Sequence, residues 1–352
     1  MIFIDNKPNN KWLGNNPIPH NRPTLGQEEE KMALQVIQSG WVAQGNAVEC
    51  FENEFCDFLG LPRGAAVAVS SGTAALYLSL LVLDAKKKNI AFPAYSCSAL
   101  RNATALVGGN PLLIDSMIDS PNVDIDTIDN KTNISIIPHM YGLPQDLSKP
   151  NGKMNIIEDC AQSLGAHINQ TPVGLQGDVG IFSFYATKLI TSGGQGGMIV
   201  SKDTAIIKEL KDYRLFDRRF DAKIRFNFQM TDLQAAIGSA QLRQFPQFLK
   251  RRQEIFQQYQ EAKFPLLDAN TDIQPVRFRA ILRTTKQDEI IALLNQHNIS
   301  AVVPLQDKEL LGPKELYPNA YSWTQNTLSL PIYPSLTDEE VKRIINIVKN
   351  VL

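Results

Sequence analysis

The chain has almost no excess of either charge: 35 basic and 36 acidic side chains leave a formal net charge of −1 over 352 residues. Binding nucleic acid or an anionic membrane along the whole sequence calls for a basic excess, so both roles are excluded at that scale. Cysteine is scarce. The four present, Cys50, Cys56, Cys97 and Cys160, have no CxxC spacing, which leaves no metal-ligating set, and they are too few for a disulfide-stapled secreted scaffold. They read as free thiols in a reducing compartment. No apolar run approaches the ~18 residues of a membrane span, and the N-terminal MIFIDNKPNNKWLGNNPIP lacks the basic region and apolar core of a signal peptide. The expected location is the cytoplasm. Two nucleotide-binding patterns are missing as well: Gly194-Gln195-Gly196 finds no glycine at 199 to complete a dinucleotide fingerprint, and no Walker loop occurs. With 43% hydrophobic and 20% charged residues the composition is that of an ordinary globular protein, and the length favours one large and one smaller domain.

What the chain does contain is concentrated between Asn155 and Val200. One apolar run ends in a carboxylate at Asp159. A second, Gly180 to Tyr185, leads through Ala186 and Thr187 to a single lysine, Lys188. Each residue alone reads more readily as a turn or solvated loop position. Together they match the needs of pyridoxal phosphate (PLP) chemistry: a lysine amine to form a Schiff base with the cofactor aldehyde, and an acid to keep the ring nitrogen protonated.

The flanking segments alternate between strand and helix. Residues 1–22 are rich in Asn and Pro and read as an arm. Gln27 to Gln38 opens on Glu28-Glu29-Glu30, acids suited to the positive end of a helix. After a Gly40-to-Gly45 turn, Val48, Phe51, Phe55 and Phe58 mark a second helix that Gly60 should end. Ala65 to Leu76 reads as a buried strand, a small-residue turn and a helix, and Ser71, Gly72 and Thr73 would let backbone N–H groups approach an anion. Strands follow at Ile90–Phe92, Pro111–Asp115, Ile134–Pro138 and Gly196–Ser201, with helices at Cys97–Val107 and from Asp203 to about Phe216. Such alternation implies a parallel sheet with both faces covered. Residues 217–230 form a basic, aromatic loop, and Thr231 caps a long helix. Phe245-Pro246 is the expected boundary between a large domain, 1–245, and a small one, 246–352. The small part carries a helix to about Lys263, a strand near Phe278–Leu282, a helix at Gln287–Gln296 and a last helix opened by a Thr337-to-Glu340 capping box.

The ordered motifs resemble the DegT/StrS family of sugar-nucleotide aminotransferases. They run from about Pro23 to the C-terminus: Gly40-Trp41 with Phe51-Glu52, Ser71 to Leu76, Pro138-His139 with Tyr141-Gly142, Glu158-Asp159 with Ala161-Gln162, Phe182 to Phe184, Lys188, Gly196-Gly197, Asn227 with Gln234 to Ala236 and Gln241-Leu242, and Ser329 to Pro331. The resemblance implies an α/β protein of PLP fold type I: a mostly parallel central sheet flanked by helices, with a smaller C-terminal α+β domain. It makes Lys188 the Schiff-base and proton-transfer lysine and Asp159 the partner of the pyridine nitrogen. Gln162 would lie near the phenolic oxygen, and Gly72, Thr73 and Ser183 would hold the phosphate. Asn227 would reach the cofactor of a neighbouring subunit, so a homodimer with shared sites is expected.

Three positions depart from the family pattern. Where relatives stack an aromatic on the cofactor ring, this chain has Cys97. Where they often carry an arginine two residues after the asparagine, it has Gln229, for which Arg225 is a possible substitute. The His-Tyr-Pro stretch of the small domain reads Val302-Val303-Pro304. The implied reaction converts a nucleotide-linked keto-sugar to an amino-sugar with an amino-acid donor, by family habit glutamate, for surface polysaccharide (including lipopolysaccharide) or glycoside synthesis. A sugar deoxygenase or dehydratase of the same family would typically lack Lys188. A non-catalytic sensor would be expected to have lost Asp159, Gln162 or Ser183.

Overall fold

A computed structural model describes residues 17–147, 154–269 and 273–352. Most of the expected arm, residues 1–22, lies outside them. From Pro17 the chain is non-helical, and Ile18 is buried and bridged to Ile299 of the C-terminal part.

The strands in chain order are β1 Ala66–Val69, β2 Asn89–Pro93, β3 Asn110–Ile114, β4 Ile134–Pro138, β5 Asn155–Asp159, β6 His167–Ile168, β7 Thr171–Pro172, β8 Val179–Ser183, β9 Gly197–Val200, β10 Ile273–Gln274, β11 Ala280–Arg283 and β12 Thr327–Leu330. Seven of them build the central sheet in the order β1-β9-β8-β5-β4-β2-β3. Every neighbouring pair is parallel except the two made by β9. The helices are α1 Gln27–Ser39, α2 Asn46–Leu59, α3 Gly72–Val82, α4 Ala99–Val107, α5 Thr204–Arg214, α6 Asp232–Glu261, α7 Gln287–Gln296, α8 Pro318–Gln325 and α9 Asp338–Val348.

The central strands are apolar on both sides because both sides are covered. Along β1, Ala66 and Ala68 join one core with Phe51 and Phe55 of α2 and Phe245 of α6. Val67 and Val69, one residue out of step, join a second core with Leu78 of α3, Leu100 of α4 and Leu210 of α5. Alternation of side chains across a strand produces this division, and a parallel sheet in an α/β protein requires it. A third core, with Ile255, Phe256 and Tyr259 of α6, β11, β12, α7 and α9, belongs to the C-terminal part.

Pro246 does not separate two helices. It lies inside the 30-residue α6, whose first half packs Leu242, Phe245 and Phe248 on one core and whose second half packs Ile255, Phe256 and Tyr259 on another. Burial at both ends offsets the ~3 kcal/mol that an internal proline costs a helix. Other expectations shift by a residue or two. Helix α4 begins at Ala99, so Cys97 precedes it, and β11 starts after Phe278 and Arg279. The helix α8 and the strand β12 carried no periodic signal in the sequence. No helix among the described residues is long and apolar enough to cross a membrane.

Candidate active site

Strands β1, β8, β5 and β4 run in one direction and end on one edge of the sheet, the edge where α/β folds leave a crevice for ligands. The local sequence places Asp159 there as the last residue of β5, paired with Pro138 and Ile181, and Ser183 as the last residue of β8, opposite Gly197. Beyond β8 the chain turns, with the Lys188 N–H donating to the Tyr185 carbonyl. Lys188 and Asp159 come within electrostatic reach of each other.

Neither group is neutralised by ordinary partners. Asp159 accepts one N–H, from Ala161 at 3.0 Å, and its second carboxylate oxygen has no partner among the described residues. Burial pushes its pKa up; the Ala161 N–H, Lys188 and His139 pull back only in part. The Lys188 amine makes no hydrogen bond among the described residues and sits 5.5 Å from the Phe278 ring centre. Burial pushes its pKa down, opposed by Asp159 and Cys97. A half-buried amine held toward its neutral form is suited to nucleophilic attack and proton transfer.

An anion cup lies beside them at the start of α3. The Ser71 side chain accepts from Ala74 N at 3.1 Å, which leaves the N–H groups of Gly72 and Thr73 without protein acceptors among the described residues. These are the unpaired donors of a helix start, pointing to the positive end of its dipole. Two glycines make the approach possible. A Cβ on Gly72 would meet Ser183 Cβ at 2.8 Å and Oγ at 3.0 Å, and one on Gly197 would meet the Ser71 carbonyl at 2.4 Å. Gly72, with Thr73 next to it in the chain, therefore lies against Ser183, the grouping that the family resemblance implies.

Gln162 uses its carbonyl oxygen to accept the Tyr141 N–H at 2.9 Å. Its amide nitrogen has only the Met140 sulfur, at 3.9 Å, and keeps donor capacity for a ligand oxygen. Cys97 is exposed and near enough to Lys188 to act on it electrostatically. Asn227 is exposed, and its Oδ1 accepts the Gln229 N–H at 3.0 Å; among the described residues it makes no hydrogen bond to Asp159, Gln162, Ser183 or Lys188. Its segment is tied to the end of β1 through Ser70 N and Phe228 O. Arg225 is not a free substitute for the missing arginine at 229, because it is locked to Asp212 at 2.8 Å and Asp221 at 2.6 Å.

The sequence reading missed three groups at the edge of this site. Tyr95 and Tyr141 hydroxyls hydrogen-bond to each other, burial raises both pKa values, and Tyr141 adopts a left-handed φ of 61°. In the sequence Tyr141 stands out only as part of a motif, and Tyr95 carries no signal. The third is Arg279 with His20, two residues 259 apart in sequence that meet at 3.3 Å. Site size is no guide here: a recess of about 850 Å³ along β3, far larger than the cavity of about 90 Å³ at Arg279, contains none of these residues.

The donor set fits PLP: a buried carboxylate with one oxygen to spare, an unpaired lysine, an amide donor and an anion cup closed to any Cβ. The fold and this site are those of a PLP-dependent aminotransferase. Residues 23–349 match the DegT/DnrJ/EryC1/StrS aminotransferase family, and the chain belongs to that family. Among its relatives are the GDP-perosamine synthase of Vibrio cholerae, 30% identical over 95% of this chain and 98% of the relative, and the spore coat polysaccharide biosynthesis protein SpsC of Bacillus subtilis, 30% identical over 96% and 98%. The PMP form of the putative sugar aminotransferase Spr1654 from Streptococcus pneumoniae superposes with a TM-score of 0.87 at 25% identity, over 96% of this chain and 98% of that one.

Proposed function

We propose that this enzyme is a sugar aminotransferase that converts a nucleotide-linked keto-sugar to the amino-sugar, with L-glutamate as donor, for surface polysaccharide or glycoside synthesis. The observation that carries the reading is the pairing of an incompletely bonded, buried Asp159 with an unpaired Lys188 beside the Gly72 cup. The names of the relatives support sugar as the acceptor, and those of the GDP-perosamine synthases put GDP-sugars beside UDP- and dTDP-sugars as candidates.

When bound, PLP supplies an aldehyde that takes up the donor amine and a ring that accepts electrons from the α-carbon. In this reading Asp159 holds the proton on the ring nitrogen, and that cation relieves the carboxylate that burial penalises. Lys188 carries a proton between the donor α-carbon and the cofactor carbon C4′. Gln162 donates to the phenolic oxygen, Gly72, Thr73 and Ser183 bind the phosphate, and Cys97 lies against the ring.

Asn227 completes the site of a second copy, so the working unit in this reading is a homodimer. Support comes from exposed apolar side chains on the loop that carries Asn227, Phe220, Ile224 and Phe226, and on the loop after α1, Trp41 and Val42. The reading keeps a division near residue 246 into a cofactor-binding part and a smaller part with its own core, spanned by α6.

The test is a half-reaction. Enzyme converted to its amine form with L-glutamate is offered GDP-, UDP- and dTDP-linked keto-sugars, and recovery of the aldehyde absorbance is followed. One of them should restore it at low concentration. Restoration by simple 2-oxo acids alone would reject the sugar acceptor. Light scattering that gives a fully active particle of one 39.2 kDa chain would reject the shared site.

A further inference from the structure

Arg279 lies just before β11 and lines a cavity of about 90 Å³ together with His20, Asn21, Thr187, Phe278 and Ile332. Its Nη1 donates to His20 Nε2 at 3.3 Å. An arginine can only donate, so Nε2 is the unprotonated nitrogen, and the Ser329 hydroxyl donates to the same atom at 2.9 Å. Burial, with Arg279 and Arg252 nearby, holds the His20 pKa at about 3, so the ring is neutral. The partner of Arg279 is thus an uncharged nitrogen.

Other half-buried or buried arginines are treated differently. Arg214 pairs with Glu52, Arg225 with Asp212 and Asp221, and Arg277 with Asp268. Arg252 donates to the carbonyls of Arg277, Phe278 and Ile332, which also fixes the backbone leading into Arg279. Among the described residues Arg279 has neither a carboxylate nor a carbonyl partner. Four of its five donors are unused, and burial disfavours its charge. An anion from outside the chain would satisfy it.

The position says which anion. The Arg279 guanidinium and the Lys188 amine lie 5.4 and 5.5 Å from the centre of one ring, Phe278. In an amino-acid donor the amine and a carboxylate sit on one carbon, so a cation for that carboxylate must stand close to the amine's landing point. In a nucleotide sugar the diphosphate is separated from the reacting carbonyl by the sugar ring. Resting on the reading above for the identity of the reaction, we propose that Arg279 binds a carboxylate of the amino-acid donor, with His20 as the positioning residue that aims it.

The experiment compares holoenzyme with Arg279→Met and Arg279→Lys. Binding of maleate, a dicarboxylate without an amine, is measured by calorimetry. Loss of aldehyde absorbance is followed against L-glutamate concentration, and inorganic pyrophosphate binding serves as the diphosphate control. Arg279→Met should weaken maleate, and raise the half-saturating glutamate concentration, by about ten- to a hundredfold, the range of a charge-assisted hydrogen bond. Pyrophosphate binding and the melting temperature should stay the same, and Arg279→Lys should recover part of the loss. Unchanged maleate and glutamate constants, or a loss confined to pyrophosphate, would overturn the assignment. The sugar reading fails separately: a wild type converted by L-glutamate but restored by no nucleotide keto-sugar breaks that reading and leaves Arg279 to be judged on the maleate and glutamate constants.

Discussion

Two adjacent carboxylates at the end of β5 face opposite sides of the sheet and have opposite fates. Glu158 points into the fold, where it accepts from His139 Nε2 at 3.1 Å and from the backbone N–H groups of Gly174 at 2.8 Å, Gln176 at 2.5 Å and Gly177 at 2.7 Å. His139 Nδ1 accepts the Gln145 N–H, so Nε2 carries the proton that Glu158 receives. Burial would raise the pKa of Glu158, but these donors outweigh it and hold the carboxyl below its usual range. Asp159, also buried, receives one N–H and is pushed the other way. The same chemistry on one strand therefore yields a structural anchor on one face and a reactive, incompletely bonded acid on the other.

The comparison can be broken most severely on the Asp159 face. Lys188→Ala should lower transamination by about 10²–10⁴-fold, the range of a lost general acid-base group, and remove the visible absorbance of lysine-bound cofactor. The melting temperature should barely move, because the amine has no hydrogen bond to lose. Retained absorbance and turnover would disprove the role of Lys188.

On the other face the expected loss is in folding. Glu158→Gln puts an amide among four donors and should cost about 3–5 kcal/mol, as for a buried pair stripped of one partner. Because the folded pKa of Glu158 is depressed, its stabilisation is present above the unfolded carboxylate pKa and is lost as pH falls through the folded one. The gap between wild type and Glu158→Gln in thermal melts should therefore narrow in acid. A gap that widened in acid would contradict the donor set.

Asp159→Asn should do the reverse in the cofactor-free protein. With its folded pKa raised, Asp159 favours folding below the unfolded pKa and loses that contribution as pH rises through the folded value. The variant should melt ~1–3 °C above wild type near neutrality, converge with it in acid, and still bind PLP weakly and transaminate slowly. A lower melting temperature at neutral pH would show that Asp159 is a structural anchor like its neighbour.

The smallest effect is expected at Cys97. Cys97→Phe should add face-to-face contact and tighten cofactor binding by about 0.5–1.5 kcal/mol, with a shifted absorption maximum, while Cys97→Ser changes affinity little. Identical spectra and affinities in both variants would remove residue 97 from the cofactor surroundings.

Much of this was legible from local pattern. Gly60 ends α2 in the left-handed conformation at φ 72°, and Thr231 and Thr337 cap α6 and α9 with complete capping boxes. Each needs only the residues within one turn. Pro246 reads locally as a helix break, whereas burial on two separate cores carries α6 through it. The strand β12, Thr-Leu-Ser-Leu, mixes polar and apolar residues that are all buried, so its burial is not legible from composition.

The sequence alone determined where Asp159 and Ser183 stand, since each closes an apolar strand set by short-range pattern. It also determined the parallel sheet, through uninterrupted apolar runs between amphipathic helices. Only the tertiary structure decided that Glu158 would be saturated and Asp159 left open, because the donors that separate them come from residues 139 and 174–177, gathered on one face by the sheet. Only it placed Arg279 against His20 and the Lys188 stretch without a counter-charge. Ion pairing depends on distances between segments far apart in the chain, and no local pattern encodes them.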